Sequence, residues 1–237
     1  MSQHIRLQSV IAKAGVCSRR KAESLIRQGK IRVNDVVVVT PFYKVDLVRD
    51  VVVFNNKRIR IRDKLYLLFH KPSGVTTTKK DPHAKRNVLE LLPKKFSHLH
   101  PVGRLDKNTQ GLLLLTNDGE LTFRLTHPSF EIAKVYTVRL DKPLENKDAA
   151  VLERGITLED GPTLPCKIKT AGPRDLTITI RQGRKRQIRR MFDALGYKVV
   201  ELVRIKEGCL SLGSLKPGKF RILSELEVRR LYAEVGL

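Results

Sequence analysis

Residues 101–119 read PVGRLDKNTQGLLLLTNDG. A polar loop, Gly103-Arg104-Leu105-Asp106, leads into an apolar run at residues 112–115 that is expected to be a buried strand. Thr116-Asn117-Asp118-Gly119 then reads as a turn. A loop anchored by a buried strand can hold one carboxylate in a fixed place, so Asp106 is a candidate catalytic acid. Taken alone, an aspartate in such a loop reads more simply as a turn residue or an ion-pair partner.

Two downstream segments shift that balance. Residues 133–140 have the alternation of a strand, which puts Lys134 and Tyr136 on one face. A tyrosine on a basic face can stack on a splayed-out base, although a core or edge role is the plainer reading. Further on comes Gly183-Arg184-Lys185-Arg186-Gln187-Ile188-Arg189-Arg190-Met191. Ile188, Met191, Phe192 and Leu195 have helical spacing, so Arg189 and Arg190 project near a helix start. Guanidinium groups there suit a phosphate or a carboxylate, and Arg184, Lys185 and Arg186 suit an RNA backbone.

Upstream, residues 65–69 read as a buried strand entering a Lys71-Pro72-Ser73-Gly74 turn, and residues 79–87 read as a polar, basic loop. The first 63 residues carry 14 Lys/Arg against 5 Asp/Glu and have their own pattern. Leu7, Val10, Ile11 and Ala14 recur at helical spacing, and Gly15 can end that helix. Ser18 is a plausible N-cap for a second helix with Ala22, Leu25 and Ile26 on its apolar side. Arg19, Arg20 and Lys21 lie at its start, as RNA contacts or as a solvated face. β-Branched runs follow at residues 31–39, 51–54 and 57–61, with Asn55-Asn56 as a tight turn. A boundary falls near residues 62–65. The whole is expected to be α+β: a small N-terminal α/β module over residues 1–62 and a larger mixed-sheet domain over residues 63–237.

Charge narrows the partners. The 237 residues carry 47 Lys+Arg against 24 Asp+Glu, a net charge of +23. Such a field gathers polyanions, nucleic acid first and an anionic membrane second. No apolar run approaches the roughly 20 residues of a membrane span, and the N-terminus lacks a signal-peptide apolar stretch, so a cytoplasmic protein without membrane contact is expected. Cys17, Cys166 and Cys209 are far apart, and the histidines lack ligand spacing, so no metal is expected. Nucleotide- and hydrolase-type glycine motifs are absent, so no cofactor is expected either.

The N-terminal segment resembles the ribosomal-protein-S-four-type RNA-binding module. The matching residues are Arg6-Leu7, Ala14-Gly15, Ser18-Arg19-Arg20, Ala22-Glu23, Leu25-Ile26, Gly29 and Val33-Asn34, with Asp35 where the family often has Gly. The resemblance implies phosphate contacts by Arg19, Arg20 and Lys21. The rest resembles the ribosomal RNA pseudouridine synthases (type A of the small subunit; types B, E and F of the large one), type B most of all. The matching motifs are Lys71-Pro72-x-Gly74, Gly103-Arg104-Leu105-Asp106, Gly111 through Gly119, Lys134-x-Tyr136, Arg186-Gln187-Ile188-Arg189-Arg190-Met191, Leu202-x-Arg204 and Leu212-Gly213. One departure is Glu207-Gly208-Cys209-Leu210, where the family usually has Ile-Gly-Pro-Leu.

The resemblance implies that Asp106 attacks the nucleoside or assists cleavage of its glycosidic bond. It implies that Tyr136 stacks on the target base and helps move a proton from C5, and that Arg189 pairs with Asp106 and orients it. These three side chains should then face one cavity, with Arg104 and Lys134 in support and in contact with phosphate. It also implies a monomer acting on ribosomal RNA or a ribosomal precursor particle. Large-subunit 23S RNA is preferred, on Arg6-Leu7-Gln8 and the long leucine run, with small-subunit 16S RNA as the alternative. A non-catalytic ribosome-assembly factor built from the same parts, and a DNA-binding regulator using residues 1–63 as a helix-turn-helix, are the readings from other classes.

Overall fold

The computed structural model describes residues 4–78 and 86–237. The greater part of the basic loop expected at residues 79–87 therefore lies outside the described residues. The chain divides into two compact units. One holds the residues up to Leu65 together with Asn117–Gly119, and the other holds Tyr66–Thr116 and Glu120–Leu237.

In the first unit a short strand, His4–Arg6 (β1), runs into helix Leu7–Lys13 (α1). Helix Arg19–Arg27 (α2) starts where the Ser18 hydroxyl accepts from the Lys21 amide at 3.3 Å, the side-chain cap that an N-terminal turn needs. Gly15 and Gly29 follow the two helices with φ of 76° and 66°. The helices bury Leu7, Val10, Ile11, Ala22, Leu25 and Ile26 against Ile31, Val33, Val45 and Val52. Arg19, Arg20 and Lys21 stay exposed.

The strands of this unit are Ile31–Val33 (β2), Val36–Val37 (β3), Lys44–Asp46 (β4), Val52–Phe54 (β5) and Lys57–Arg58 (β6). β1 pairs with β4, and a four-stranded sheet runs β3-β2-β5-β6. The run at residues 31–39 is thus a hairpin, not one strand. Asn34 and Asp35 take φ of 49° and 65°, the backbone of a tight primed turn, which Asn and Asp tolerate. Asn55 and Asn56, at 48° and 58°, make the second such turn.

The turn expected at residues 116–119 forms as a bend at Asn117. The Asn117 side chain accepts from the Leu65 amide and donates to the Asp63 carbonyl, both at 2.8 Å, and Asp118 pairs with Lys64 at 2.9 Å.

The second unit is built on one mixed sheet. Its strands are Tyr66–Lys71 (β7), His100–Pro101 (β8), Gln110–Thr116 (β9), Lys134–Leu140 (β10), Thr157–Leu158 (β11), Gly161–Pro162 (β12), Lys167–Thr170 (β13), Asp175–Ile180 (β14), Val199–Glu207 (β15), Leu210–Ser211 (β16) and Phe220–Ile222 (β17). The helices are Gly119–Thr126 (α3), Asn146–Arg154 (α4), Gln187–Asp193 (α5) and Glu225–Glu234 (α6). The sheet order is β13-β14-β10-β15-β9-β7-β17, with β8 on β9, β16 on β15, and β11-β12 a separate hairpin. Among the described residues, the β9–β15 pairing is the one parallel pairing in it.

The leucine run lies in β9. Leu112 and Leu114 pack into a core with Tyr66, Leu68, Leu121, Leu125, Leu212 and Leu231, while Leu113 and Leu115, on the opposite face, are also buried. A strand covered on both faces carries unbroken apolar sequence. At its start β9 lies against β15, where Gly111 pairs with Arg204. A Cβ on Gly111 would stand 2.2 Å from the Arg204 carbonyl oxygen and 2.5 Å from its amide nitrogen, so the two backbones approach only because residue 111 has no side chain.

Candidate active site

The loop before β9 is clamped from two sides. The Lys71 ammonium is wholly buried and donates to the carbonyls of Pro72, Lys107 and Thr109 at 3.0, 3.1 and 2.8 Å. The Thr77 hydroxyl donates to the Leu105 carbonyl at 2.7 Å and accepts from the Leu105 amide at 3.2 Å. The Gly74 amide reaches the Lys107 carbonyl, and the Thr109 amide reaches the Asp106 carbonyl. Burial lowers the Lys71 pKa to about 8, with the Asp106 charge acting in the opposite direction. Asp106 is thereby held half-buried at the wall of a cleft of about 860 Å³. Among the described residues its carboxylate forms no ion pair, so it is fixed through its backbone.

Tyr136 and Lys134 from β10 line the same cleft, as alternation along a strand requires. Tyr136 is almost fully buried. Burial raises its phenol pKa, Arg204 opposes that, and Glu207 and Asp106 add to it. Lys134 is half-buried and donates to the Ile132 carbonyl at 3.1 Å. Burial lowers its pKa against the pull of Glu207. Arg104, Lys185 and Arg186 are exposed and line the cleft, so cationic groups ring the carboxylate.

The pairing of Arg189 with Asp106 is not formed. Arg189 donates to the Val199 carbonyl at 2.6 Å and to the Asn108 carbonyl at 3.3 Å, and it stands outside the residues that line the cleft. Asn108 lies two residues beyond Asp106, so Arg189 ties the Asp106 loop to the start of β15. Its charge still feels Asp106, which opposes the lowering of its pKa by burial and by Arg186. The resemblance implied a pairing with the carboxylate, and residue spacing could not say that backbone carbonyls would engage this guanidinium instead.

Arg184 is likewise engaged. It donates to the carbonyls of Asp160, Gly161 and Pro162, while Arg190 grips the Asp160 carboxylate with two bonds of 2.9 Å. Both therefore anchor the β11–β12 hairpin. Arg184 still lines the cleft, and the exposed cationic groups around it are Arg104, Lys107, Lys185 and Arg186.

Two wall residues were given no site role from the sequence. Arg204 and Glu207 of β15 are almost wholly buried and contact one another at 3.1 Å. Arg204 also donates to the Leu112 carbonyl at 2.8 Å and to Glu207 Oε1 at 3.3 Å. Residues three apart on a regular strand face opposite ways. Here Tyr136 pairs with Arg204 and Val135 with Lys206, so Ile205 is an extra residue, a bulge. The bulge turns Glu207 onto the cleft face with Arg204. Leu202-x-Arg204 was visible as a motif, but no sequence signal announced the bulge.

Known proteins share this architecture. Residues 65–194 match the RNA pseudouridylate synthase family, and residues 5–52 match the S4 domain. The ribosomal large subunit pseudouridine synthase B of Bacillus subtilis is 41% identical over 234 residues, covering 96% of each chain. An uncharacterized RNA pseudouridine synthase of Aquifex aeolicus is 38% identical, covering 98% of this chain and 96% of its own. A solved pseudouridylate synthase superposes with a TM-score of 0.71 at 33% identity, covering 96% of this chain and 99% of that one.

A mixed-sheet catalytic unit joined to a helical, basic RNA-binding module defines an RNA-modifying enzyme. This chain belongs to the RNA pseudouridylate synthase family.

Proposed function

We propose that this enzyme isomerises one uridine of large-subunit ribosomal RNA, with Asp106 and Tyr136 at the reacting nucleoside. The observation that carries the reading is the cleft itself. It places one backbone-fixed carboxylate and one buried phenol in a common wall beneath a cationic rim. The chain's likeness to the pseudouridine synthase B of Bacillus subtilis supports the choice of RNA.

The chemistry needs few parts. The bond between N1 and C1′ breaks, the uracil turns, C5 bonds to C1′, and the C5 proton is lost while N1 gains one. Positive charge develops on the sugar as the first bond breaks. A carboxylate can capture that carbon or stabilise the charge, which is the role of Asp106. The freed base must not escape while it turns, and Tyr136 supplies a flat wall for it. The uridine must leave its stack to reach Asp106, which costs least in loops and bulges. Lys185 and Arg186 at the rim, with Arg104, meet the phosphates of the extruded strand. Arg19, Arg20 and Lys21 of the first unit add a sequence-independent grip.

Two outcomes test these roles. With C5-tritiated ribosomal RNA, Tyr136→Phe should slow tritium release less than Tyr136→Ala, because a phenyl ring still stacks, and stacking is worth about 1–3 kcal/mol per base. Equal rates for both variants and the parent would remove Tyr136 from the site. Replacing Arg19, Arg20 and Lys21 together with alanine should weaken RNA binding and flatten its salt dependence. The log–log slope should fall by roughly 0.7–0.9 for each phosphate no longer neutralised. An unchanged slope would show that these side chains touch no phosphate.

A further inference from the structure

We propose that Glu207 is a positioning residue for the isomerisation: through Arg204 it fixes the Tyr136 phenol, and it leaves the Asp106 carboxylate unpaired. The inference rests on the reading of the cleft given above.

The geometry is specific. Arg204 and Glu207 are 1% and 2% exposed, the most deeply buried oppositely charged pair among the described residues. They stand in the wall of the cleft that Asp106 and Tyr136 share. A dry ion pair stabilises a fold no better than well-packed apolar side chains do, whereas removing one partner strands the other charge. Its presence here therefore points to what it holds in place. The Arg204 guanidinium donates to the Leu112 carbonyl and to Glu207 Oε1 and stands in ion contact with Glu207 Oε2, and it lies against the Tyr136 phenol. Cross-strand register pairs Tyr136 with Arg204 and Lys134 with Glu207. Two residues of β10 thus face two residues of β15 that only the bulge brings to one side.

Charge explains why an acid is needed at position 207. An arginine alone in this wall would draw the Asp106 carboxylate across the cleft and occupy it. Glu207 neutralises that cation locally. The groups facing Tyr136 are then Arg204 and Glu207 from β15 and Asp106 from the catalytic loop, with Lys134 beside Glu207 on the strand of Tyr136 itself. The Glu207 charge raises the phenol pKa and Arg204 lowers it, so loss of Glu207 alone leaves the phenol easier to ionise.

The test uses the full-length enzyme and C5-tritiated ribosomal RNA. Glu207→Gln should lower kcat by about 10²-fold, the size of effect that a misplacement of about 1 Å produces, with KM within a few-fold of the parent. The alkaline inflection of its kcat profile should move to lower pH. In a Tyr136→Phe background that movement should vanish. Glu207→Asp should recover part of kcat.

If Glu207→Gln fails to fold, the double change Arg204→Met with Glu207→Leu removes both charges, and it should fold yet stay slow. Recovery of parental kcat in the double variant would mean that the pair serves only the fold and would overturn the inference. So would parental kcat and an unmoved inflection in Glu207→Gln. If Asp106→Asn and Tyr136→Ala also turn over like the parent, the reading of the cleft itself fails, and this inference with it.

Discussion

Asp106→Asn abolishes tritium release from C5-labelled ribosomal RNA and leaves RNA affinity within about two-fold. That is the expected result, and its size follows from the role. Removing the group that carries the bond-breaking step typically costs about 10⁴-fold or more in kcat. The asparagine keeps the shape of the side chain and removes its charge and nucleophilicity. The fold should not respond. The loop is held by the carbonyl contacts of Lys71 and the Thr77 hydroxyl, and among the described residues the Asp106 carboxylate itself forms no ion pair. An unchanged thermal transition with lost turnover is therefore the signature. Turnover near that of the parent would remove Asp106 from the chemistry.

The largest structural effect is expected from Gly111→Ala. The added Cβ meets the backbone of Arg204, its carbonyl oxygen at 2.2 Å and its amide nitrogen at 2.5 Å. A backbone cannot rotate out of the way as a side-chain tip can, so β9 and β15 must separate. The φ of 111° at this position adds strain for any residue with a Cβ. The cost should exceed about 4 kcal/mol, which lowers Tm by roughly 10 °C for a chain of this size. Activity should fall further than stability, because the Asp106 loop leads into β9 and Arg204 sits on β15. A suitable control is Gly74→Ala. Among the described residues its Cβ would meet nothing within 4 Å, so its left-handed φ of 81° is what is penalised. A Tm for Gly111→Ala within 2 °C of the parent would contradict the close approach, taking a shift of about 2–4 °C per kcal/mol.

What the sequence made legible is what local rules control. Ser18 announced a helix start, and its hydroxyl caps α2. Residues 112–115 announced a buried strand because a polar face would have interrupted the leucines. Alternation put Lys134 and Tyr136 on one side, and both reach the cleft. The resemblance at residues 103–106 directed attention to Asp106, which lines it too.

What stayed hidden depends on competition between partners far apart in the chain. Arg189 was read as the partner of Asp106, yet carbonyls of Asn108 and Val199 take its donors. Arg184 was read as an RNA contact, yet the β11–β12 hairpin occupies it. Backbone carbonyls are strong acceptors, so a nearby guanidinium is drawn to them wherever the fold places it, and residue spacing carries no record of that. Arg204 and Glu207 were given no place in the site for another reason. Their shared face depends on one extra residue, Ile205, in the β15 register, and strand alternation applied to the sequence puts them on opposite sides.

The most direct measurement is a pseudouridine map of ribosomal RNA from a strain lacking this gene, complemented with either the parent gene or its Asp106→Asn variant. The account predicts that one pseudouridine disappears from the large-subunit RNA, that the parent gene restores it, and that the variant, expressed at equal level, does not. Loss of the modification from small-subunit RNA instead, an unchanged map, or restoration by the Asp106→Asn variant would contradict it.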